Sequence, residues 1–161
     1  MEKNIFLPAG ICVRLADATD DAFLFSLFCE ARPELAYLPL PPAQVETLLA
    51  QQYQLQQRGY ANQYPTARNW IIECESQVVG KIMLAELVNF IHIVDFVIAF
   101  SWRSRGIGSA VLNAVKRYAS AQSLGLSLQV ERQNIAAKRL YTRIGFNVCQ
   151  LTATHEVMEC K

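Results

Sequence analysis

The stretch Ser101-Trp102-Arg103-Ser104-Arg105-Gly106-Ile107-Gly108-Ser109-Ala110 has the residue types and spacing to hold an anion. It follows a long β-like run and opens an amphipathic helix. Ile107, Ala110, Val111, Ala114, Val115 and Tyr118 recur at steps of three and four and share one face, while Asn113, Lys116, Arg117 and Ser120 share the other. A helix start leaves backbone N–H groups unpaired, and the helix dipole favours negative charge there. Gly106 and Gly108 let a ligand approach that backbone with no Cβ in the way, and Arg103 and Arg105 add positive charge. Strand, glycine turn and helix in this order can cradle a phosphate. The plainer alternative is a glycine turn that merely starts a helix.

The type of phosphate ligand is narrowed by what the turn lacks. Val111 stands where a G-x-G-x-x-G dinucleotide fingerprint needs its third glycine, and no G-x-x-x-x-G-K-[ST] run is present. What the chain has is Arg103-x-x-Gly106-x-Gly108. Further on comes Asn134-x-x-Ala137-x-x-Leu140-Tyr141-x-x-x-Gly145-Phe146. Together these resemble the two signatures of the GNAT superfamily of acyl-CoA-dependent N-acetyltransferases. One departure is Phe100, where many members carry proline ahead of the first signature.

The elements that would position these residues follow from periodicity and turn chemistry. Ile11–Leu15 reads as a strand, and Asp17 or Thr19 caps a helix over 20–30 that ends at Arg32-Pro33. A stiff Leu38–Pro42 connector leads to a helix from about Ala43 to Arg58, stopped by Gly59. Tyr60–Pro65 reads as a loop with two exposed tyrosines. Asn69–Glu75 and Gln77–Leu87 form a hairpin turned at Glu75-Ser76, and Asn89–Ser101 is a third antiparallel strand. The signature helix runs to about Leu124, ended by Gly125. A strand over Leu126–Val130, a helix from an Asn134 cap to Gly145, and strands Phe146–Leu151 and Thr154–Glu159 close the chain. The order matches the GNAT fold. The resemblance implies an α/β (α+β) domain with a mixed, mostly antiparallel sheet, splayed between its fourth and fifth strands, and helices on both faces.

Composition sets the outer limits. With 161 residues, 52% apolar and 18% charged, the chain can bury a core and fits a single domain over 1–161. A net charge of +1 leaves no global field to attract nucleic acid. The five cysteines form no C-x-x-C, and His92 and His155 lie near no cysteine pair, so neither a disulfide framework nor a metal site is expected. That usage suits a reducing cytoplasm. Met1–Ile5 lacks the apolar core of a signal peptide. The apolar run Ile82–Trp102 is interrupted by Glu86, Asn89, His92 and Asp95 and is rich in β-branched and aromatic residues. Paired strands explain it better than a membrane helix, and no membrane partner is expected.

Moving an acyl group from a thioester to an amine requires a held donor, a neutral amine, a stabilised oxyanion and a protonated leaving thiolate. The resemblance implies that pantetheine pairs with the backbone of Val97, Ile98 and Ala99, with the Ile98 N–H facing the thioester oxygen. It places the pyrophosphate on the amides of Arg103, Ser104, Arg105, Gly106, Ile107, Gly108 and Ser109, and the rest of acetyl-CoA along Asn134, Ala137 and Lys138. Lys138 and Arg139 could approach the 3′-phosphate, although exposed basic side chains are usually just solvated. Tyr141 matches the family residue that protonates the thiolate, since a phenol of pKa about 10 keeps its proton at neutral pH. As a core aromatic it would instead belong to the stripe Ala137, Leu140, Tyr141, Ile144. The proton acceptor is left between Asp95, Glu86, His92 and water. Asp95 is favoured because Val94, Phe96 and Ile98 alternate with it and turn it away from their apolar face. The acceptor is an amine without further definition, its pocket built by segments 30–43 and 59–67. The closing strands commonly serve as a homodimer edge in the family, and the resemblance leaves the oligomeric state open. A CoA-binding regulatory module without turnover is the alternative function.

Overall fold

The computed structural model describes residues 7–161, so Met1–Ile5 lies outside it. The elements are β1 (Ile11–Leu15), a 3₁₀ turn (Ala18–Asp20), α1 (Asp21–Glu30), α2 (Pro33–Ala36), α3 (Pro42–Gln63), β2 (Arg68–Cys74), β3 (Gln77–Glu86), β4 (Phe90–Ile98), a second 3₁₀ turn (Phe100–Trp102), α4 (Ile107–Ala121), β5 (Gly125–Glu131), α5 (Ile135–Ile144), β6 (Asn147–Leu151) and β7 (His155–Cys160). The strands form one seven-stranded sheet in the order β1-β2-β3-β4-β5-β7-β6. Every pair is antiparallel except β4–β5.

Local chemistry explains most boundaries. Asp17 accepts the Thr19 N–H at 2.8 Å and Asp20 accepts the Asp17 N–H at 2.9 Å, so the two carboxylates cap the turn into α1. Arg14 clasps that turn to the sheet, with 2.8 Å bonds to both Asp20 oxygens and a 2.7 Å bond to Glu73. At the β2–β3 hairpin Glu75 (φ 52°) and Ser76 (φ 64°) are both left-handed, the geometry of a tight I′ turn. Gly145 closes α5 with φ 111°.

Gly59 does not stop α3, which continues to Gln63. A mid-helix glycine costs only about 1 kcal/mol relative to alanine. The extra turn carries Tyr60 and Tyr64 inward, and the Tyr64 ring stacks on His92 with centroids 4.9 Å apart. Neither tyrosine is an exposed loop residue. The signature helix is also shorter than expected, because Gly125 opens β5 instead of closing α4.

Two features of the sheet shape its centre. Helices α4 and α5 pack Ile107, Val111, Leu112, Val115, Tyr141 and Ile144 against one face, onto Ile82, Leu84, Ile91, Ile93 and Leu128. On the other side α1 and α3 are tied by the Phe25 and Phe28 rings around Tyr53. The β3–β4 register steps from Leu84↔Ile93 to Met83↔Asp95, leaving Val94 as an extra, bulged residue. The β4–β5 ladder runs only from Phe90↔Gly125 to Ile93↔Leu128. Past that rung β4 stays with β3 as far as Ile98, and β5 stays with β7 as far as Glu131. The sheet therefore forks between its fourth and fifth strands, as expected.

Candidate active site

A cavity of about 940 Å³ fills the fork. Its walls come from α1, α3, both arms of the fork, the glycine turn and α5.

On the β4 arm, backbone polarity is fixed by the neighbour. The Ala99 N–H donates to Val79 O at 2.8 Å, and Val97 is paired with Lys81, so these two residues turn their polar groups toward β3. Along a strand the N–H groups alternate sides, so those of Phe96 and Ile98 point into the fork. Of the three residues expected to pair with pantetheine, Ile98 has the open edge. Ala99 does not, because its N–H is already bonded. The Ile98 carbonyl accepts from Arg103 Nε at 2.9 Å, which folds that side chain along the same edge. Gly80 lets the strands approach, since a Cβ there would lie 2.5 Å from Val97 O.

The turn that follows is built for an anion. Ser104 (φ 60°) and Gly106 (φ 77°) adopt left-handed conformations. The first helical bond of α4 is from Ala110 N–H to Gly106 O at 3.0 Å. Among the described residues, the amides of Ser104 through Ser109 donate to no protein acceptor. Six unpaired donors at a helix N-terminus match a pyrophosphate. Gly108 faces the cavity, and a Cβ on it would meet Leu140 at 3.5 Å and Phe96 at 3.7 Å, ordinary contacts.

Two basic side chains expected at this end have partners within the protein. The Arg105 guanidinium lies over the Trp102 ring, 4.7 Å from its centroid. Lys138 bonds Glu156 at 3.0 Å and Arg132 O at 3.2 Å, so it is held by its own neighbours rather than free for a phosphate. Arg143, from the same basic cluster, lines the cavity instead. Asn134 caps α5 by accepting the Ala137 N–H at 3.2 Å, and both residues line the wall.

Tyr141 projects from α5 with its ring edge-on to Phe146, 5.7 Å between centroids. The residue is buried in the core cluster, so it is a core aromatic as well as a cavity residue. Among the described residues its phenol oxygen has no hydrogen-bond partner, yet it is not sealed off, which leaves it open to the cavity. Burial, with a smaller push from the negative charge of Asp95, raises its pKa to about 12.

Asp95 lies on the sheet face opposite Ile93, Phe96 and Ile98, as expected, but for a different reason. Val94 does not alternate with Phe96, because the bulge removes it from the count. The same step puts His92 and Asp95 on one face, opposite Ala85 and Met83 of β3. Sequence reasoning missed the partner of Asp95. Lys81 is buried and places Nζ 2.8 Å from Asp95 Oδ2. The signal was a lysine inside the apolar run Val78–Ala85. His92 bonds Ser127 Oγ through Nδ1 at 2.8 Å. Glu86 is exposed at the end of β3, outside the cavity lining. Glu30, a further residue not singled out, accepts the Phe100 N–H with both carboxylate oxygens at 3.1 Å. A proline at that position would have no N–H to give.

The family model described as Acetyltransferase (GNAT) family matches residues 26–146. No curated protein sequence matches the chain. Among solved structures, the fold is similar to PaiA N-acetyltransferase from Thermoplasma acidophilum in complex with coenzyme A, with a TM-score of 0.69 and 20% identity over 94% of this chain and 98% of that one. Spermidine N-acetyltransferase from Vibrio cholerae, in complex with CoA and spermine, gives a TM-score of 0.63 at 16% identity over 94% of each chain. Arabidopsis thaliana Naa50 with the bisubstrate analogue CoA-Ac-MVNAL gives 0.63 at 14% identity, over 95% of this chain and 99% of that one. Among the described residues, no helix is long and apolar enough to cross a membrane.

Proposed function

The chain belongs to the GNAT acetyltransferase family, and we propose that it transfers an acetyl group from acetyl-CoA to a primary amine by direct attack in a ternary complex. The observation that carries this reading is the fork itself. One end offers the free amides of Ser104–Ser109 and the open edge at Ile98, and Tyr141 opens its unpartnered phenol into the same cavity.

In this reading those amides, with Arg103 beside them, hold the pyrophosphate. Asn134 and Ala137 line the path of the pantetheine arm. The Ile98 N–H supports negative charge that develops on the thioester oxygen. Asp95 attracts the acceptor's ammonium group to the reaction centre, and Lys81 fixes the carboxylate in place. The amine nitrogen bonds to the acetyl carbon, the carbon–sulfur bond breaks, and Tyr141 gives its proton to the departing sulfur. A raised phenol pKa suits that role, because the proton is still present at neutral pH. Among the similar folds, one is a spermidine N-acetyltransferase and another holds the bisubstrate analogue CoA-Ac-MVNAL. The acceptor end here is walled by Tyr60, Tyr64, Gln56, Gln63 and Arg32.

The test is thiol release from acetyl-CoA in the presence of spermidine, an amino-acid amide and a short peptide with a free N-terminus. Amine-dependent release with mass gain on the amine is expected. Tight donor binding without release for any amine would leave a CoA-binding module and reject the transferase reading.

A further inference from the structure

We propose that the acceptor's ammonium proton is taken by His92 Nε2, and that Ser127 is a positioning residue holding the imidazole for that purpose. This rests on the acetyltransferase reading above and names the proton acceptor within it.

The argument is geometric. His92 pairs with Ser127 across the β4–β5 ladder, one rung before Ile93↔Leu128, where pairing ends. The ring therefore sits at the crotch of the fork. The bulge at Val94 gives it the same sheet face as Asp95, although three residues separate them. Its orientation is doubly fixed, by the 2.8 Å contact of Nδ1 with Ser127 Oγ and by the Tyr64 ring stacked at 24°. Nε2 has no partner among the described residues, is not sealed from solvent, and belongs to a residue lining the cavity. With Nδ1–H donating to Ser127 Oγ, the lone pair lies on Nε2, where a proton can be received. After transfer both ring nitrogens are donors, and the Ser127 bond persists unchanged.

The alternative acceptor is less free. One oxygen of Asp95 is already held by the Lys81 ammonium at 2.8 Å, so the carboxylate is engaged as an anchor for positive charge. Burial lowers the His92 pKa, so the ring is neutral when the ammonium arrives. The proton count closes. One ammonium proton leaves on His92 and passes to solvent. The second, shed by nitrogen as the amide forms, replaces the proton that Tyr141 gives to sulfur.

The test is the pH dependence of kcat for His92→Gln, with whichever amine of the panel releases most thiol. Glutamine can keep a bond to Ser127 but cannot take a proton. The other charged or titratable groups sharing the cavity are Tyr60 and Tyr64 from α3, Arg32 and Glu34 at the start of α2, Lys81, Asp95 and Glu131 from the sheet, Arg103 before α4, Tyr141 and Arg143 from α5 and His155 from β7. Burial raises all three tyrosines, and Lys81 and Asp95 are mutually paired, so His155 is the other imidazole to control for. The wild-type acid limb should persist in His155→Gln. In His92→Gln, kcat at pH 7 should fall by about 10²-fold with donor affinity unchanged. Its rate should then climb with pH toward the pKa of the free amine, so that the gap to wild type closes. A loss by one constant factor at every pH, or a wild-type profile, overturns the proposal. Ser127→Ala is the second variant and decides the matter if His92→Gln does not fold. Without that acceptor the imidazolium is less favoured, so the acid limb should move to lower pH and kcat should fall; an unmoved limb overturns the proposal. Wild-type protein that binds acetyl-CoA and releases no thiol with any amine overturns the transferase reading and this inference with it. Wild-type turnover with an unaffected His92→Gln overturns the inference alone.

Discussion

Replacing Tyr141 with phenylalanine isolates one oxygen atom. The ring packs edge-on to Phe146 within the core cluster, and phenylalanine keeps that contact. Among the described residues the hydroxyl has no hydrogen-bond partner, so its removal leaves no orphaned donor or acceptor behind. Stability should therefore stay within about 0.5 kcal/mol of wild type, a shift of about 1–2 °C in Tm for a chain of this length. Donor affinity should hold for the same reason. If the phenol protonates the departing sulfur, kcat falls by about 10²–10⁴-fold, or about 3–5 kcal/mol of barrier. The assay combines thiol release, calorimetric donor binding and a melting curve on one variant. Normal kcat would refute the acid role, and lost donor binding would make the hydroxyl a positioning group for CoA. The pH sign follows from the raised pKa of about 12. The protonated phenol's contribution is fully present below the ordinary tyrosine value of about 10 and is lost only as pH rises through 12. Ionisation of Tyr141 should therefore not limit the wild-type rate on the alkaline side below about pH 11.

The two interior glycines of the site should respond differently. Gly80→Ala forces a Cβ to within 2.5 Å of Val97 O, so β4 must shift. We expect a loss of about 1–3 kcal/mol in stability by denaturant melts, together with weaker acetyl-CoA binding. Gly108→Ala meets only ordinary contacts and should keep the fold and donor binding, whereas Gly108→Glu puts a charge into the phosphate turn and should abolish binding by calorimetry. Away from the site, Asp20→Asn should weaken the Arg14 clasp by about 1–3 kcal/mol. The Arg14 hydrogen bond holds the Asp20 pKa below its ordinary value, so the stabilisation is present above that value and is lost as pH falls through the lowered one. The variant's melting temperature should accordingly converge on wild type in acid.

Much of this architecture could be read from single residues whose chemistry has one good use. Asn134 before an amphipathic stretch is a cap, Gly145 after it is a left-handed stop, and Glu75-Ser76 between two apolar runs is a tight turn. The glycine turn was legible because an unpaired helix start and flanking arginines are local features. The misreadings involve long-range terms. Gly59 looked like a stop, but burying Tyr60 and stacking Tyr64 on His92 outweigh the small cost of a mid-helix glycine. Lys138 looked available for a phosphate until Glu156, from another segment, came into reach. The Ala99 N–H could not be assigned before the β3–β4 register was known. Lys81 was visible as an anomaly in an apolar strand, but its partner lies fourteen positions away on the next strand, where spacing along the chain says nothing.

The bulge at Val94 links these observations and suggests a final perturbation. Counting by twos along β4 with Val94 included would set His92 and Asp95 on opposite faces. The observed register sets them on the same face because Val94 is not counted. Deleting Val94 should therefore leave every other side chain of β4 on its present face, His92 and Asp95 toward the acceptor and Ile93, Phe96 and Ile98 toward the core. What the deletion removes is the local kink and extra twist that a bulge imposes. The β4–β5 ladder ends at Ile93, the residue just before the bulge, so the kink and the fork coincide. With a regular β4, pairing to β5 should extend past Ile93↔Leu128 and occupy the open edge at Ile98. The deletion variant should then melt at or above the wild-type temperature while failing to bind acetyl-CoA in calorimetry. Retained donor affinity in a folded deletion variant would show that the fork is held open by the helices rather than by the bulge. Loss of both folding and binding would show that the bulge is required for the sheet itself.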